Sequence, residues 1–432
     1  MEPAQIAQIL FGVFGGLLLI GAPISIALGG AAMVTFTCLG QDLMTMIQLA
    51  FTSVNSFPIM AVPAFILAGA LMEGAGISRR LVAIAELLVG DMPGGLAIST
   101  VLACTFFGAI SGSGPATAAA VGMLMIPAMI QRGYSPAYAA CTAATGGGIG
   151  ILIPPSLPMV IYGVAGQVSV TRLFLGGVFP GLLLCVAFAV THRILCRKLV
   201  MDVPPQERTL RNVCRVLKEA FWSLLAPVII LGSIYGGYAT PTESAVLGVC
   251  YTFIVGIFIH KELSWKKVQA ALNTTSWMTG RVLIILFTAC AFGRILVQYR
   301  IPDIIVQGVL DITGHAFFVW AFVIVVLVFL GMFMETLAII LLVTPVLLPV
   351  MQAFGTDPVH FGVILIFLLA IGYTTPPMGE NMFITSGIAN TTIEEVSVRA
   401  LPFVLTAIIV AILLIAFPAI VLWLPDTLMG AN

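Results

Sequence analysis

Charged residues are scarce in this chain of 432 residues: Asp, Glu, Lys and Arg together make up 8% of it, while 60% is hydrophobic. The mean hydropathy of +1.14 lies far above that of soluble globular domains. The 18 basic and 18 acidic residues balance, so the chain lacks the basic excess that a nucleic-acid partner requires. These shortages exclude an ordinary soluble domain and indicate a polytopic membrane protein.

Motifs for metal or thiol chemistry are also missing from the sequence. The eight cysteines include no CxxC pair, and the four histidines are scattered and form no HExxH motif. The N-terminus lacks the basic start and the small-residue cleavage site of a signal peptide, so we expect all residues to belong to the mature chain. We therefore look for the functional chemistry inside the apolar segments.

The most informative of these segments is the apolar stretch from Gly108 to Tyr162, which is interrupted twice. One interruption is Ser111-Gly-Ser-Gly-Pro-Ala-Thr117, and the other runs from Gly146 through Pro154 and Pro155. Glycine and proline in both places disfavour a continuous α-helix. Irregular backbone at membrane depth is tolerated mainly where it is buried in protein or lines a cavity, because lipid offers no hydrogen-bond partners. The two interruptions are therefore the predicted functional site.

The same pattern recurs 222 residues later in the chain. Each of six glycines and prolines has an identical residue 222 positions on: Pro127 and Pro349, Gly133 and Gly355, Pro136 and Pro358, Gly150 and Gly372, Pro154 and Pro376, Pro155 and Pro377. Internal repeats of this kind are typical of transporters. The sequence thus predicts two structural repeats with two interruptions each.

The lengths of the apolar runs predict how each repeat is built. The run from Ala97 to Ile110 would cover ~21 Å as a helix, too little for a hydrocarbon core of ~30 Å, so we expect the chain to turn back at Ser111. We predict an all-α protein of two inverted-topology repeats, each with five transmembrane helices and one re-entrant helical hairpin. The first repeat covers residues 1–196 (hairpin 97–130, broken helix 137–165), a cytoplasmic linker covers 197–220, and the second repeat covers 221–425 (hairpin 316–351, broken helix 359–387). Among the unbroken spans we expect Phe51 to Met72 and Phe403 to Trp423.

The distribution of basic residues predicts the orientation of the chain. With both termini placed in the periplasm, 14 of the 18 basic residues fall in cytoplasmic loops, as the positive-inside rule requires. These 14 are Arg79, Arg80, Arg132, Arg193, Arg197, Lys198, Arg208, Arg211, Arg215, Lys218, Lys261, Lys266, Lys267 and Arg399. The first hairpin then opens from the cytoplasm and the second from the periplasm.

The residues at the interruptions suit ion and carboxylate binding. Helix N-termini favour anions, whereas unwound carbonyls and hydroxyls are the oxygen ligands that Na⁺ prefers. The first repeat offers the hydroxyls of Ser111, Ser113, Thr117 and Ser156 and the carbonyls of Gly146, Gly148 and Gly150; the second offers Thr336, Thr374, Thr375, Asn381 and the carbonyl of Gly372. The competing interpretation is that small residues serve only close helix packing. The short hairpin, the double proline and the second copy together favour a site.

Intramembrane charges are a further group of candidates. Glu335 lies in the second hairpin tip and Glu380 in the second break, where an acid can hold a cation, carry a proton or contact a substrate. Glu243 and Arg281 either pair for structure or extend toward an interface. The first repeat has no acid at the position equivalent to Glu380.

These motifs resemble the large membrane subunit of TRAP transporters, the tripartite ATP-independent periplasmic systems of bacteria and archaea. The resemblance covers essentially the whole chain. It is most specific in GAISGSGPATAAAVG from Gly108, in GGGIGILIPPSLPMVIYG from Gly146, and in the second-half segments GMFMETLAIILLVTPVLLP and TTPPMGENMF. One departure is Glu380, where the family usually carries an apolar residue before the asparagine.

The resemblance implies a Na⁺-coupled, elevator-type secondary transporter of the bacterial inner membrane. A scaffold would stay fixed while a transport domain with both hairpins moves, and substrates would be organic acids such as C4-dicarboxylates and sialic or other sugar acids. The implied partners are a small four-helix membrane subunit, expected as a separate chain because no such extension precedes the first span, and a periplasmic substrate-binding protein. The residues that would bind Na⁺ or the substrate are Ser111, Ser113, Pro155, Ser156, Thr336, Thr375 and Pro376. The predicted substrate contacts also include Thr117, Glu335, Glu380 and Asn381.

Three other functions compete with this one. A self-sufficient Na⁺/dicarboxylate symporter of similar elevator fold would need no binding protein. An intramembrane hydrolase would use Ser111 or Ser113 as nucleophile, but no histidine is predicted at their depth to serve as general base. A purely structural subunit would not require two matched interruptions. We therefore expect a transporter and not an enzyme.

Overall fold

The computed structural model describes residues 1–89, 92, 94–197, 209–312, 314–376 and 379–430. Within these residues the chain forms twenty α-helices and no β-strand. Nine helical segments of this described part are long and apolar enough to cross a membrane, and several shorter apolar helices accompany them. The predicted all-α, multi-pass fold is confirmed.

The helices of the first half follow one another through short connections. They are α1 (Pro3–Leu19), α2 (Ile24–Cys38), α3 (Met44–Val54), α4 (Ala61–Gly74), α5 (Ile77–Val89), α6 (Gly95–Ser111), α7 (Gly114–Gln131), α8 (Pro136–Ile149), α9 (Leu157–Ala165) and α10 (Val170–Cys196). A short 3₁₀ turn, Phe57–Met60, precedes α4.

The second half follows the same general order, with the single helix α13 in place of α3 and α4 and with one additional helix at its end. Its helices are α11 (Leu210–Tyr235), α12 (Pro241–Ile254), α13 (Trp265–Gln298), α14 (Ile301–Ile312), α15 (Ala316–Phe333), α16 (Thr336–Ala353), α17 (Pro358–Gly372), α18 (Glu380–Ala389), α19 (Ile393–Ala416) and α20 (Ala419–Met429). A π-helical turn, Val255–Ile259, extends α12. A shift of 222 residues carries α7 onto the full range of α16, and α8 onto α17 to within one residue.

Local sequence explains where the helices near the first interruption begin. Serine precedes each of α7, α8, α9 and α10, and its side-chain oxygen accepts a hydrogen bond from a backbone N–H of the first turn at 3.3–3.4 Å. Proline follows in the first turn of α7, α8 and α9, where its missing N–H costs nothing. The same residues that break the apolar stretch therefore start new helices.

Contacts show that α6 and α7 form a re-entrant hairpin. At its base, Gly94 lies against Cys196 at the end of α10. At its tip, the N–H of Leu157 donates to the carbonyl of Gly112 at 3.3 Å. Leu157 lies midway along the broken helix formed by α8 and α9, so the hairpin goes in only that far before α7 returns to the end from which α6 started.

The second hairpin, α15 and α16, enters from the opposite end. The hydroxyl of Tyr162, near the far end of α9, donates to the carbonyl of Pro358 at the start of α17 at 2.8 Å. Thus α17 begins where α9 ends, and the tip of the second hairpin meets the end of α17 through Gly331 and Gly372. The two hairpins point toward each other, as the predicted inverted topology requires.

Several predicted bounds were wrong, each for a local reason. The predicted span from Phe51 to Met72 is interrupted at Asn55 and Ser56, because Pro58 starts a separate 3₁₀ turn. The last span is interrupted at Phe417, because Pro418 follows it and starts α20. Helix α11 begins at Leu210, inside the segment 197–220 predicted as a linker; residues 198–208 of that segment lie outside the described residues.

Candidate functional site

The tip of the first hairpin is a compact group of hydroxyls. Gly112 adopts the left-handed conformation (φ 60°) that ends α6, and Ser113 then caps α7. The hydroxyls of Ser111 and Thr117 lie 2.9 Å apart, and the Thr117 hydroxyl donates to the carbonyl of Ser113 at 2.6 Å. Sequence reasoning placed these three side chains in one site, and the structure brings them together.

The first break runs from Gly150 to Ser156. The Ser156 side chain is fully buried; it caps α9 and donates to the carbonyl of Ile151 at 2.5 Å. Pro155, joined to Pro154 by a cis peptide bond, presents its carbonyl oxygen to Gly112, so closely that a Cβ atom on Gly112 would collide with it. The break and the hairpin tip therefore form one continuous contact.

The predicted start of this break at Gly146 was wrong. Helix α8 continues through Ile149, and its glycines permit close packing on three sides. A Cβ atom on Gly146 would lie 2.9 Å from the Cys104 sulfur, one on Gly147 2.6 Å from the Ala118 Cβ, and one on Gly148 3.0 Å from the Ala370 carbonyl oxygen. The three glycines act first as contact points for neighbouring helices, and only Gly150 lies in the irregular segment.

The tip of the second hairpin differs from the first because it carries charge. Glu335 precedes α16 without capping it through its side chain, and Thr336 behind it is 2% exposed. A nitrogen of the Arg281 guanidinium, from the middle of α13, lies 2.9 Å from a carboxylate oxygen of Glu335. The same guanidinium lies 5.7 Å from the centre of the Trp277 ring. Arg281 therefore pairs with the hairpin tip, whereas Glu243 belongs to a capping box with Thr240 at the start of α12.

The second break begins after Gly372, at Tyr373. The hydroxyls of Thr374 and Thr375, both nearly buried, donate to the carbonyl of Ile371 at 3.0 and 2.7 Å, so their oxygens keep lone pairs for a cation. Pro376 is half-buried, and the predicted double-proline partner, Pro377, lies outside the described residues.

Glu380 and Asn381 start α18 in contrasting environments. The Glu380 side chain is exposed, whereas Asn381 is fully buried. The Asn381 amide nitrogen donates to the carbonyl of Ala144 in α8 at 2.9 Å. Its Oδ1 is buried without a hydrogen-bond partner among the described residues, and such an orphaned acceptor is suited to a cation or a donor group of a ligand.

Two contacts join the sites of the two halves. Asn381 bridges from the second break to α8, as above. In addition, the ring of Tyr373 packs on Gly114 at the first hairpin tip, where an added Cβ atom would lie 2.9 Å from a ring carbon. The sequence places a backbone carbonyl of the second break near Tyr373 but gives no signal for its ring, because the residue 222 positions earlier is Ile151.

Helix N-termini, which carry a partial positive charge, and helix C-termini, which carry a partial negative charge, lie close together at the first hairpin tip and the first break. The N-termini of α7 and α9 meet at Gly112 and Leu157, while the C-termini of α6 and α8 end beside them. N-termini attract a carboxylate or sulfonate, and C-terminal carbonyls with nearby hydroxyls attract a hard cation. Clusters of three or more His, Cys, Asp or Glu residues that could hold a metal do not occur among the described residues, so a cation here would depend on hydroxyl, amide and carbonyl oxygens.

Comparison with known proteins gives matches over most of the chain. Residues 11–420 match the family model described as "Tripartite ATP-independent periplasmic transporter, DctM component". The isethionate TRAP transporter permease protein DctMQ of Oleidesulfovibrio alaskensis is 44% identical over 94% of this chain, which spans 64% of that longer protein. The C4-dicarboxylate TRAP transporter large permease protein DctM of Rhodobacter capsulatus is 36% identical over 98% of this chain and 99% of its own length.

Among solved structures, the YdaH transporter of Alcanivorax borkumensis superposes with a TM-score of 0.64. The match covers 88% of this chain and 90% of that one at 15% sequence identity. At this identity the likeness concerns the fold alone.

Proposed function

The chain belongs to the DctM component family of tripartite ATP-independent periplasmic transporters, and on that basis we propose that it is a large permease subunit for Na⁺-coupled uptake of an organic acid. The substrate is a small anion such as isethionate, a C4-dicarboxylate, or a sialic or other sugar acid. A periplasmic binding protein delivers it, and a small four-helix subunit accompanies the permease in the inner membrane. Transport follows an elevator mechanism in which both hairpins move against the remaining helices.

One observation carries this proposal more than any other. Each hairpin tip meets the interruption of its own broken helix, and Tyr373 and Asn381 then connect the two halves. A bound anion and a bound cation would each find helix termini of the opposite partial charge in this region. Such a junction suits a ligand that is bound near the membrane midplane and released to either side.

The proposed Na⁺ ligands are oxygens of the two tips and breaks. They come from Ser111, Ser113, Gly146, Gly148 and Gly150 in the first half and from Thr336, Gly372, Thr374, Thr375 and Pro376 in the second. The substrate contacts Ser111, Ser113, Thr117, Pro155, Ser156, Glu335, Glu380 and Asn381. Both termini of the chain lie in the periplasm, in keeping with the basic residues of the cytoplasmic loops.

Reconstitution tests the proposal directly. The permease, its small subunit and its binding protein are placed together in a liposome assay with labelled isethionate, succinate or N-acetylneuraminate. The ligand is first chosen as the one that raises the melting temperature of the binding protein. We expect an inward Na⁺ gradient to drive accumulation, and uptake that is indifferent to the gradient would contradict the ion assignment.

The self-sufficient symporter is not favoured, because the family and the relatives above are TRAP permeases. Omitting the binding protein from the same liposomes separates the two functions. A TRAP permease loses uptake without it, whereas a self-sufficient symporter retains it.

A further inference from the structure

A cavity of about 830 Å³ lies outside the site described so far. Its walls come from α3 and the 3₁₀ turn after it, from α13, from the far end of α9 and from the hairpin arm α16. None of the predicted substrate or Na⁺ residues lines it. The cavity therefore needs its own explanation.

The wall from α13 presents one face of the helix. Leu286, Cys290, Arg294 and Val297 line the cavity at spacings of three and four residues, which places them on a single stripe. Arg294 is exposed, and among the described lining residues it is the one charged side chain. The stripe therefore directs a guanidinium into the cavity.

Arg294 differs from three other arginines of the chain in its lack of an ion-pair partner among the described residues. Arg281 pairs with Glu335, Arg172 with Asp426 and Arg300 with Asp303, whereas Arg294 forms no ion pair with any described residue. This guanidinium is exposed, lies in a helix long and apolar enough to span a membrane, and is free to attract an anion from solution. The remaining polar lining includes the hydroxyl of Ser56 and the second amide N–H of Gln167, which can donate hydrogen bonds to the same anion, whereas the Thr52 hydroxyl already donates within α3.

The cavity connects with the site along two helices. Leu341 lies five residues into α16 from Thr336, and Gly163 lies seven residues beyond Ser156, which corresponds to ~8 and ~10 Å of helix rise. On its other side, a cavity of about 400 Å³ shares Gln167, Val297 and Pro345 with it and reaches the Arg300 and Asp303 pair. The two cavities thus adjoin each other along α16, and the larger one lies nearer to the tip of the second hairpin.

We infer that the larger cavity is an anion-binding vestibule in which Arg294 holds the carboxylate or sulfonate of a small organic anion before it reaches the hairpin tips. The identity of this anion rests on the proposed function. The anion site itself rests on the cavity, on its position beside α16 and on a guanidinium that has no ion-pair partner in the described part of the chain.

Cys290 allows the vestibule to be tested without transport. It lines the cavity one helical turn before Arg294. The exposed Cys38, Cys214 and Cys250 are replaced by serine, and the buried cysteines are kept. The full chain, with its small subunit in liposomes, is treated with 2-sulfonatoethyl methanethiosulfonate, which is anionic, or with the cationic trimethylammonioethyl reagent. A further Cys290→Ser variant gives the background.

The inference predicts that the ratio of the anionic to the cationic reaction rate falls about five- to tenfold in Arg294→Gln, since one nearby charge acts on the two reagents in opposite directions. Arg294→Lys should keep the ratio within about twofold, because the charge remains. Arg300→Gln combined with Asp303→Asn is the matched control, since it removes both charges of one pair and keeps the net charge, and it should leave the ratio unchanged. An unchanged ratio in Arg294→Gln, or a Cys290 that reacts with neither reagent, would overturn the vestibule.

A transport readout separates this inference from the proposed function. In the uptake assay, Arg294→Gln should raise KM about tenfold with little change in kcat, because the vestibule binds the substrate before the rate-determining movement. If the parent chain shows no uptake but the reagent ratio depends on Arg294, the proposed function fails and the anion site stands. If uptake is normal and the ratio ignores Arg294, the vestibule fails and the function stands.

Discussion

At the scale of single residues, Ser113 has both a structural and a proposed functional part. Its side chain caps α7 by accepting from the N–H of Ala116 at 3.4 Å, and its carbonyl accepts from Thr117. Removing a serine cap costs about 1 kcal/mol, which a protein of this size tolerates. Loss of a Na⁺ ligand would change how uptake depends on the Na⁺ concentration and would leave the folding of the protein intact.

We therefore predict that Ser113→Ala raises the Na⁺ concentration for half-maximal uptake about tenfold while expression stays intact, as expected for one lost charge-assisted oxygen contact. Ser135→Ala is the control, because Ser135 caps α8 in the same way, accepting from the N–H of Tyr138 at 3.3 Å, far from the tip. Uptake measured against Na⁺ concentration compares the two variants. Equal Na⁺ affinity in Ser113→Ala and the parent would remove Ser113 from the site.

Residue-level prediction from the sequence was good for hydroxyls and weaker for glycines. Ser111, Ser113 and Thr117 are close in sequence, so a single turn brings them together. Gly146 and Gly148 were predicted to lie in the break, but they lie in α8 and allow neighbouring helices to pack closely. This role depends on which helices approach each glycine. Those neighbours, Cys104 and Ala370, lie 42 and 222 positions away in the sequence.

At the scale of secondary-structure elements, glycine contacts hold each hairpin against its broken helix. A Cβ atom on Gly108 in α6 would lie 2.5 Å from the Cα of Gly150, and one on Gly331 in α15 would lie 3.0 Å from the Cα of Gly372. The neighbouring atoms belong to the backbone, so they cannot move aside by changing a rotamer. In both halves, therefore, a glycine of the hairpin packs directly against the backbone of a glycine at the break of the broken helix.

Gly108→Ala should consequently push the first hairpin away from the break. We expect a loss of about 1–3 kcal/mol of stability, typical of overpacking, and at least a tenfold loss of uptake. Gly280→Ala in α13 serves as control, because an added methyl meets nothing within 4 Å there and alanine favours a helix by about 1 kcal/mol. Thermal unfolding in detergent and uptake in liposomes report the two effects. A Gly108→Ala protein as stable and active as Gly280→Ala would mean that the contact is not required.

The elements themselves were largely predictable, and the exceptions are instructive. Hairpins and broken helices were found because proline and glycine interrupt apolar runs twice in register. The interruption at Asn55 and Ser56 was missed because it has a proline but no such pattern around it. It matters, since Ser56 and Pro58 line the proposed vestibule.

At the scale of the whole molecule, the pair of Arg281 and Glu335 joins two parts that an elevator mechanism would move against each other. Arg281 belongs to α13, which packs against α2, α3 and α4 and also along the hairpin arm α16, and Glu335 belongs to the tip of that hairpin. The Glu335 side chain is 20% exposed and the Arg281 side chain 47%, so the carboxylate is the shielded partner of the pair. A movement of the hairpin would have to break it.

A double-mutant cycle tests this coupling. We expect Arg281→Gln and Glu335→Gln each to slow Na⁺-driven uptake, and the double variant to be less impaired than the sum predicts, with a coupling of about 1–2 kcal/mol. Arg300→Gln with Asp303→Asn is the control cycle, since that pair is exposed and its coupling should stay below about 0.5 kcal/mol. Additive effects at Arg281 and Glu335 would show that the pair has no influence on transport.

The sequence by itself determined the membrane class, the repeat and the four interruptions, because hydropathy, proline and glycine act locally and leave a readable pattern. Only the tertiary structure decided which partner each residue meets. Tyr373 packs on Gly114 and Asn381 bonds to α8, both across the two halves of the chain, and within the second half Arg281 pairs with Glu335 over 54 positions of sequence. The vestibule around Arg294 was likewise invisible in the sequence, since its walls come from four separate segments that only packing brings together.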